Sequence, residues 1–181
     1  MITTSILRFE NRTPKRLQDM YDYMLDESKT NLAWIFGLGV NPLNAVAEMK
    51  FVQYVYGYYN LYHEYKQVIF SFDEGLLADG NLIKEICMRI GQALILDCRQ
   101  VLGAIHGINT SRIHCHYMIN YVGIDGSLLR QKYSVVHYKK LVNEILLEYE
   151  FTPVYYFEND KKQWSSGYTT PLLNTNMRWL Q

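Results

Sequence analysis

The sequence predicts an α+β fold: a mainly antiparallel central sheet of about five strands, with helices packed on its apolar face. Two observations carry this reading. Segments such as YKQVIFSF (65–72) and RIHCHYMINYV (112–122) alternate with a period of two, as a strand with two unlike faces requires. Other stretches place apolar residues three and four apart, the spacing of an amphipathic helix packed on such a sheet.

In chain order, ITTSILRF (2–9) reads as a first strand. Thr13-Pro14 then supplies an N-cap with proline at the first helical position. Leu17, Met20, Tyr21, Met24 and Leu25 form the stripe of that helix. Tyr21 belongs to the stripe, so its ring is expected against the sheet, whereas Tyr23 lies well round from it. NLAWIFGLGV (31–40) suggests a short strand broken by glycines. Asn41-Pro42 repeats the helix-start signal before Ala45, Met49, Val52 and Tyr56. The aromatic run YVYGYYNLYHEY (54–65) is expected to pack a helix end against the sheet. In YKQVIFSF, Val68, Phe70 and Phe72 share one face, and Gln67, Ile69 and Ser71 the other. A turn-rich loop, DEGLLADGN, precedes a third helix over 81–96. The IDGS turn follows the last alternating strand, and a fourth helix carries Tyr138, Leu141, Val142, Ile145 and Tyr149.

Composition bounds the rest. A chain of 181 residues, 49% apolar and 14% aromatic, is long enough for one domain with a substantial core. Three cysteines in apolar segments read as reduced thiols of a cytoplasmic protein. No signal peptide or membrane-length apolar run is visible. Eighteen basic and eighteen acidic residues cancel, so any nucleic-acid contact must come from local clusters. Arg8, Arg12, Lys15 and Arg16 form one cluster, and Arg130, Lys132, Lys139 and Lys140 another. His63 and His137 read as surface or packing residues.

The chemistry concentrates in AIHGINTSRIHCHYMINYV (104–122), which holds three of the five histidines. His114 and His116 share one strand face, roughly 6.5–7 Å apart along the strand. QVLGAIH forms a neighbouring strand ending in His106. If the two strands pair antiparallel, three imidazoles converge, a nitrogen donor set suited to Mn, Zn, Ni, Co or hydrated Mg.

This His-x-His strand with a third histidine on its neighbour resembles the metal triad of HUH endonucleases. The ordered set YDYMLDESKT, GVNPLNAVAEM, VIFSFDEG, the histidine stretch and the DGSLLR hairpin is similar to the relaxase/mobilisation nuclease family of Mob-P type. The resemblance spans residues 1–150, taken as the nuclease domain, with 151–181 as an extension of unknown role. It implies that Tyr23, six residues before Lys29, is the nucleophile, and that His106, His114 and His116 hold a divalent ion, Mn²⁺ or Mg²⁺. It also implies single-stranded DNA at a transfer origin as the substrate, a 5′-phosphotyrosyl intermediate, and accessory mobilisation or coupling proteins as partners. Lys29, Arg130 and Lys132 are the candidate DNA contacts.

Two departures from the family stand out. Gln67 occupies a position often acidic or histidine in relatives, where a carbonyl still accepts from an imidazole N–H. The connection GINTSRI carries no acid and one extra residue, leaving Asn109 as the nearest polar equivalent beside the ligands. A register slip there would turn His106 away. Two rival readings keep the same scaffold: a non-catalytic DNA- or partner-binding protein, and a replication initiator with the same chemistry.

Overall fold

Two strands that are half polar and half apolar lie at the centre of the molecule and need cover on both sides. The computed structural model describes residues 5–10, 16–73, 79–95, 98–129 and 135–154. Its elements are β1 (Ile6–Glu10), α1 (Leu17–Met24), β2 (Ile35–Leu38), α2 (Ala45–Val55), β3 (Tyr65–Ser71), α3 (Gly80–Leu94), β4 (Val101–His106), β5 (His114–Asn120) and α4 (Val135–Glu148). The strands form one five-stranded sheet in the order β1-β3-β5-β4-β2, with every neighbouring pair antiparallel. The α+β fold with a mainly antiparallel five-stranded sheet is therefore present.

One sheet face is apolar apart from Lys66, which stands opposite Ile119. Val68, Phe70, Phe72, Val101, Ile105, Cys115, Tyr117 and Ile119 pack there against Ile83, Ile86, Cys87 and Ile90 of α3 and Val142, Ile145 and Leu146 of α4. The buried positions of α3 recur at three and four residues. Gly103 has a structural reason on this face: a Cβ there would lie 2.1 Å from the Phe36 ring, which needs that space to approach Tyr117.

The opposite face is covered too, over part of its extent. Leu102, Ala104 and Met118 form a second core with Leu17, Met20 and Met24 of α1 and Ala45 and Met49 of α2. The expectation of helices on the apolar face thus holds for α3 and α4. The other two helices follow the apolar patch beside the histidines, which also needs removal from water. Gln53 of α2 is tied to the sheet by Nε2 donating to Asn120 Oδ1 at 2.9 Å.

Two local expectations are corrected. Helix α1 begins at Leu17, not near Thr13-Pro14, which lie outside the described residues. Its N-cap is Arg16, whose side chain makes no cap bond; Glu64 takes that role, accepting from the Leu17 N–H at 2.8 Å. Most of the aromatic run does not pack on the sheet: Tyr54, Tyr56, Tyr59 and Tyr62 are between 44% and 67% exposed, whereas Tyr65 is buried in the second core. Gly57, at φ +80, turns the chain away once α2 has ended, and Tyr54 and Tyr59 stack on one another at 5.6 Å. The described residues include no helix long and apolar enough to cross a membrane.

Candidate active site

The sheet register brings the three histidines together. His106 stands directly opposite His114, and Ala104 opposite His116, so all three imidazoles project from the same face. The connection between them turns at Gly107, with φ +71, and is closed by Thr110 N–H donating to the Gly107 carbonyl at 2.9 Å. The extra residue is thus taken up in an exposed turn without a slip in pairing. One ring nitrogen from each histidine lies within 4.8 Å of the others. His106 and His116 are buried and His114 is half-buried.

Each ring is held from behind. A carbonyl only accepts, so His106 Nε2–H donates to Met24 O and His114 Nδ1–H to Arg112 O, both at 2.9 Å. The lone pair of each ring then sits on the other nitrogen. Burial keeps His106 neutral by pushing its pKa below the usual value, against a smaller opposing effect of the Met24 carbonyl. Gln67, 2% exposed, meets His116 Nδ1 through Nε2 at 3.1 Å, while its Oε1 is buried with no hydrogen-bond partner. Turning the amide over would set Oε1 against an Nδ1–H, with the amide N–H₂ taking the position that Oε1 now holds. That tautomer puts the His116 lone pair on Nε2, the form in which an imidazole binds a metal. Three imidazole nitrogens and this amide therefore fit a divalent ion.

Tyr23 closes the site. It lies near the C-terminal end of α1, one residue before the carbonyl that accepts from His106, and is 38% exposed. Its ring centroid is 5.3 Å from that of His116 and 5.8 Å from that of His106. The Lys29 ammonium sits 4.2 Å from the Tyr23 ring centroid and 2.8 Å from Asp26 Oδ2. Lys29 and Ser28 hold the Asp26 carboxyl well below the usual carboxylate range. Thr30 Oγ1 donates to the Ile105 carbonyl at 2.8 Å, fastening this loop to β4.

Other expected positions fare differently. Asn109 is exposed in the β4–β5 turn. Arg130 and Lys132 lie outside the described residues. Tyr21 is half-buried and packs against the second core, and its hydroxyl donates to Leu43 O at 3.3 Å. Sequence reasoning missed the Met24 carbonyl, because a backbone group carries no residue signature.

A model of the relaxase family, described as the MobA/VirD2-like nuclease domain, matches residues 23–151 and begins at Tyr23 itself. The chain belongs to the relaxase family. The fold of this relaxase is also that of a solved structure from work on the molecular basis of vancomycin resistance transfer in Staphylococcus aureus. The TM-score is 0.53 at 12% identity, covering 83% of this chain and 97% of that one. Comparison with curated proteins gives no match.

Proposed function

We propose that this relaxase nicks single-stranded DNA at a transfer origin through a 5′-phosphotyrosyl intermediate on Tyr23, starting mobilisation of a plasmid or integrative element. The observation that carries the reading is the Tyr23 ring lying against two histidines of a triad whose third member pairs in register. A divalent ion, Mn²⁺ or Mg²⁺, held by His106, His114 and His116 would supply Lewis-acid stabilisation of charge on the scissile phosphate.

The chain's own groups do the rest. Helix α1, pinned by the Met24–His106 bond, carries the Tyr23 ring beside the triad, so one contact ties the proposed nucleophile to a proposed ligand. The phenol gives up its proton as its oxygen forms a bond to phosphorus, the bond from phosphorus to the 3′ oxygen breaks, and the departing oxygen gains a proton. The products are an aryl phosphate ester and a 3′-hydroxyl; the ester keeps the strand competent for rejoining. Lys29, exposed and next to the tyrosine, is placed to meet a phosphate oxygen once Asp26 releases it.

The test is to incubate the full chain with Mn²⁺ and a labelled oligonucleotide spanning its element's transfer origin. A covalent adduct mapped by mass spectrometry to Tyr23, and lost in Tyr23→Phe, is expected. Full nicking by Tyr23→Phe would exclude this nucleophile. No nicking by the unaltered protein on its cognate origin would favour the non-catalytic reading.

A further inference from the structure

Helix α2 is apolar on two sides. Its sequence, AVAEMKFVQYV, carries only two charges, Glu48 and Lys50. Ala45, Met49 and Gln53 are buried toward the sheet, which fixes the orientation of the helix. At about 100° per residue, Ala47, Phe51 and Tyr54 then lie on the opposite side, within about 60° of one another, with Val55 beside them. That side is in water: Phe51, Tyr54 and Val55 are 68%, 49% and 60% exposed. Exposed Leu43 extends the stripe in the turn before the helix. The outer face of a helix in a globular protein is ordinarily polar, so an apolar one calls for cover.

The two charges lie on opposite flanks of this stripe, each about 80° from its centre. When two identical helices pair in parallel about a two-fold axis, the left flank of one meets the right flank of the other. Glu48 then faces Lys50 of the second copy on both flanks, offset along the axis by only about 3 Å. Antiparallel pairing would instead set like charges on the same flank. Glu48 Oε2 accepts from the Asn41 N–H at 3.0 Å, which leaves Oε1 for a cation. The Glu48 flank also opens into a groove of about 540 Å³, lined by Asn44, Ala47, Glu48, Phe51, Val52 and Gln100. The apolar stem of an incoming lysine can lie there.

We infer that the outer face of α2 is a self-association surface, on which a second copy of this chain docks its own α2 in parallel. The charge pattern selects the occupant. A nucleic-acid strand would meet one cation and one carboxylate, which cancel. A second copy supplies the opposite charge at each flank and an identical apolar stripe between them. The chain's net charge of zero sets no long-range repulsion between copies. The helix has 11 residues and is about 16 Å long, so the contact gives a concentration-dependent dimer rather than an obligate one.

The experiment is sedimentation equilibrium of the full chain over a wide range of concentration. It compares the unaltered protein with Phe51→Glu, with Lys50→Glu, and with the exchanged pair Glu48→Lys and Lys50→Glu. Circular dichroism and melting curves check that each variant is folded. A monomer–dimer equilibrium is expected, with Phe51→Glu raising its dissociation constant at least about tenfold. Lys50→Glu should raise it roughly threefold or more, the exchanged pair should bring it back, and both effects should fade at high salt. A monomer at every concentration would overturn the proposal, as would a dimer indifferent to Phe51→Glu. Weakening by Lys50→Glu that the exchanged pair does not reverse would overturn the parallel arrangement. Binding of a fluorescein-labelled oligothymidylate that requires Phe51 in a purely monomeric protein would assign the stripe to nucleic acid instead.

Discussion

The two faces of the sheet are built from the same strands and treated in opposite ways. The face under α3 and α4 is closed and almost entirely apolar, and the Tyr117 hydroxyl buried there donates to the Cys87 carbonyl at 2.9 Å. The other face carries His106, His114, His116 and Gln67 beside Leu102, Ala104 and Met118, and the two short helices cover mainly the apolar part. Close packing can be complete only where no group must stay accessible. The contrast therefore separates stability from chemistry: α3 and α4 hold the sheet, while α1 holds the site.

Damage to the two faces should have different consequences. Ile90, fully buried on α3, is the place to strike the closed face. Ile90→Ala removes buried methyl groups and leaves a cavity, so it should lower stability by roughly 2–5 kcal/mol. Below its lowered melting point the variant should take up Mn²⁺ like the unaltered chain. Calorimetry showing weakened metal binding in the still-folded variant would mean that the faces are not independent.

His116→Ala strikes the open face and should produce the reverse pattern, with a smaller free-energy change. Loss of one of three ligands should weaken Mn²⁺ binding at least tenfold, about 1.4 kcal/mol. The helices on the far side of the sheet should keep their packing, and circular dichroism should show an intact fold. Equal metal affinity in both proteins would remove the triad as a metal site.

How much of this was legible in the sequence follows from the range of each interaction. The strands β3 and β5 could be read because their two faces differ chemically at every second residue, and α3 because its isoleucines keep helical spacing. The joint placement of His114 and His116 is a property of one strand, and that of His106 needed only an antiparallel neighbour. What could not be read depends on distant partners. Glu64 caps α1 from 47 residues away, and His106 reaches a Met24 carbonyl 82 residues back. The exposure of Tyr54, Tyr56, Tyr59 and Tyr62 was hidden for a related reason. Aromatic composition signals burial on average, and only the turn at Gly57 and the end of α2 decide that these rings have no sheet beneath them.

The smallest expected effect concerns the tyrosine two residues from Tyr23, and it tests whether α1 has one working side. Tyr21 and Tyr23 are two residues apart, so they point about 200° apart round the helix. Tyr23 faces the triad; Tyr21 leans toward the residues leading into α2, where its hydroxyl donates to the Leu43 carbonyl. Burial, and then the nearby Asp22 charge, push the Tyr21 pKa up, so the hydroxyl stays protonated and acts as a donor at neutral pH. It is therefore held in its role as a structural donor. Tyr21→Phe removes one long, exposed hydrogen bond and nothing else, which should lower stability by about 0.5–1 kcal/mol at most. The nicking rate and the position of the covalent adduct should not change. If Tyr21→Phe folds normally yet forms no adduct, the nucleophile lies on the α2 side of the helix, and the division of α1 into a packing side and a reacting side fails with it.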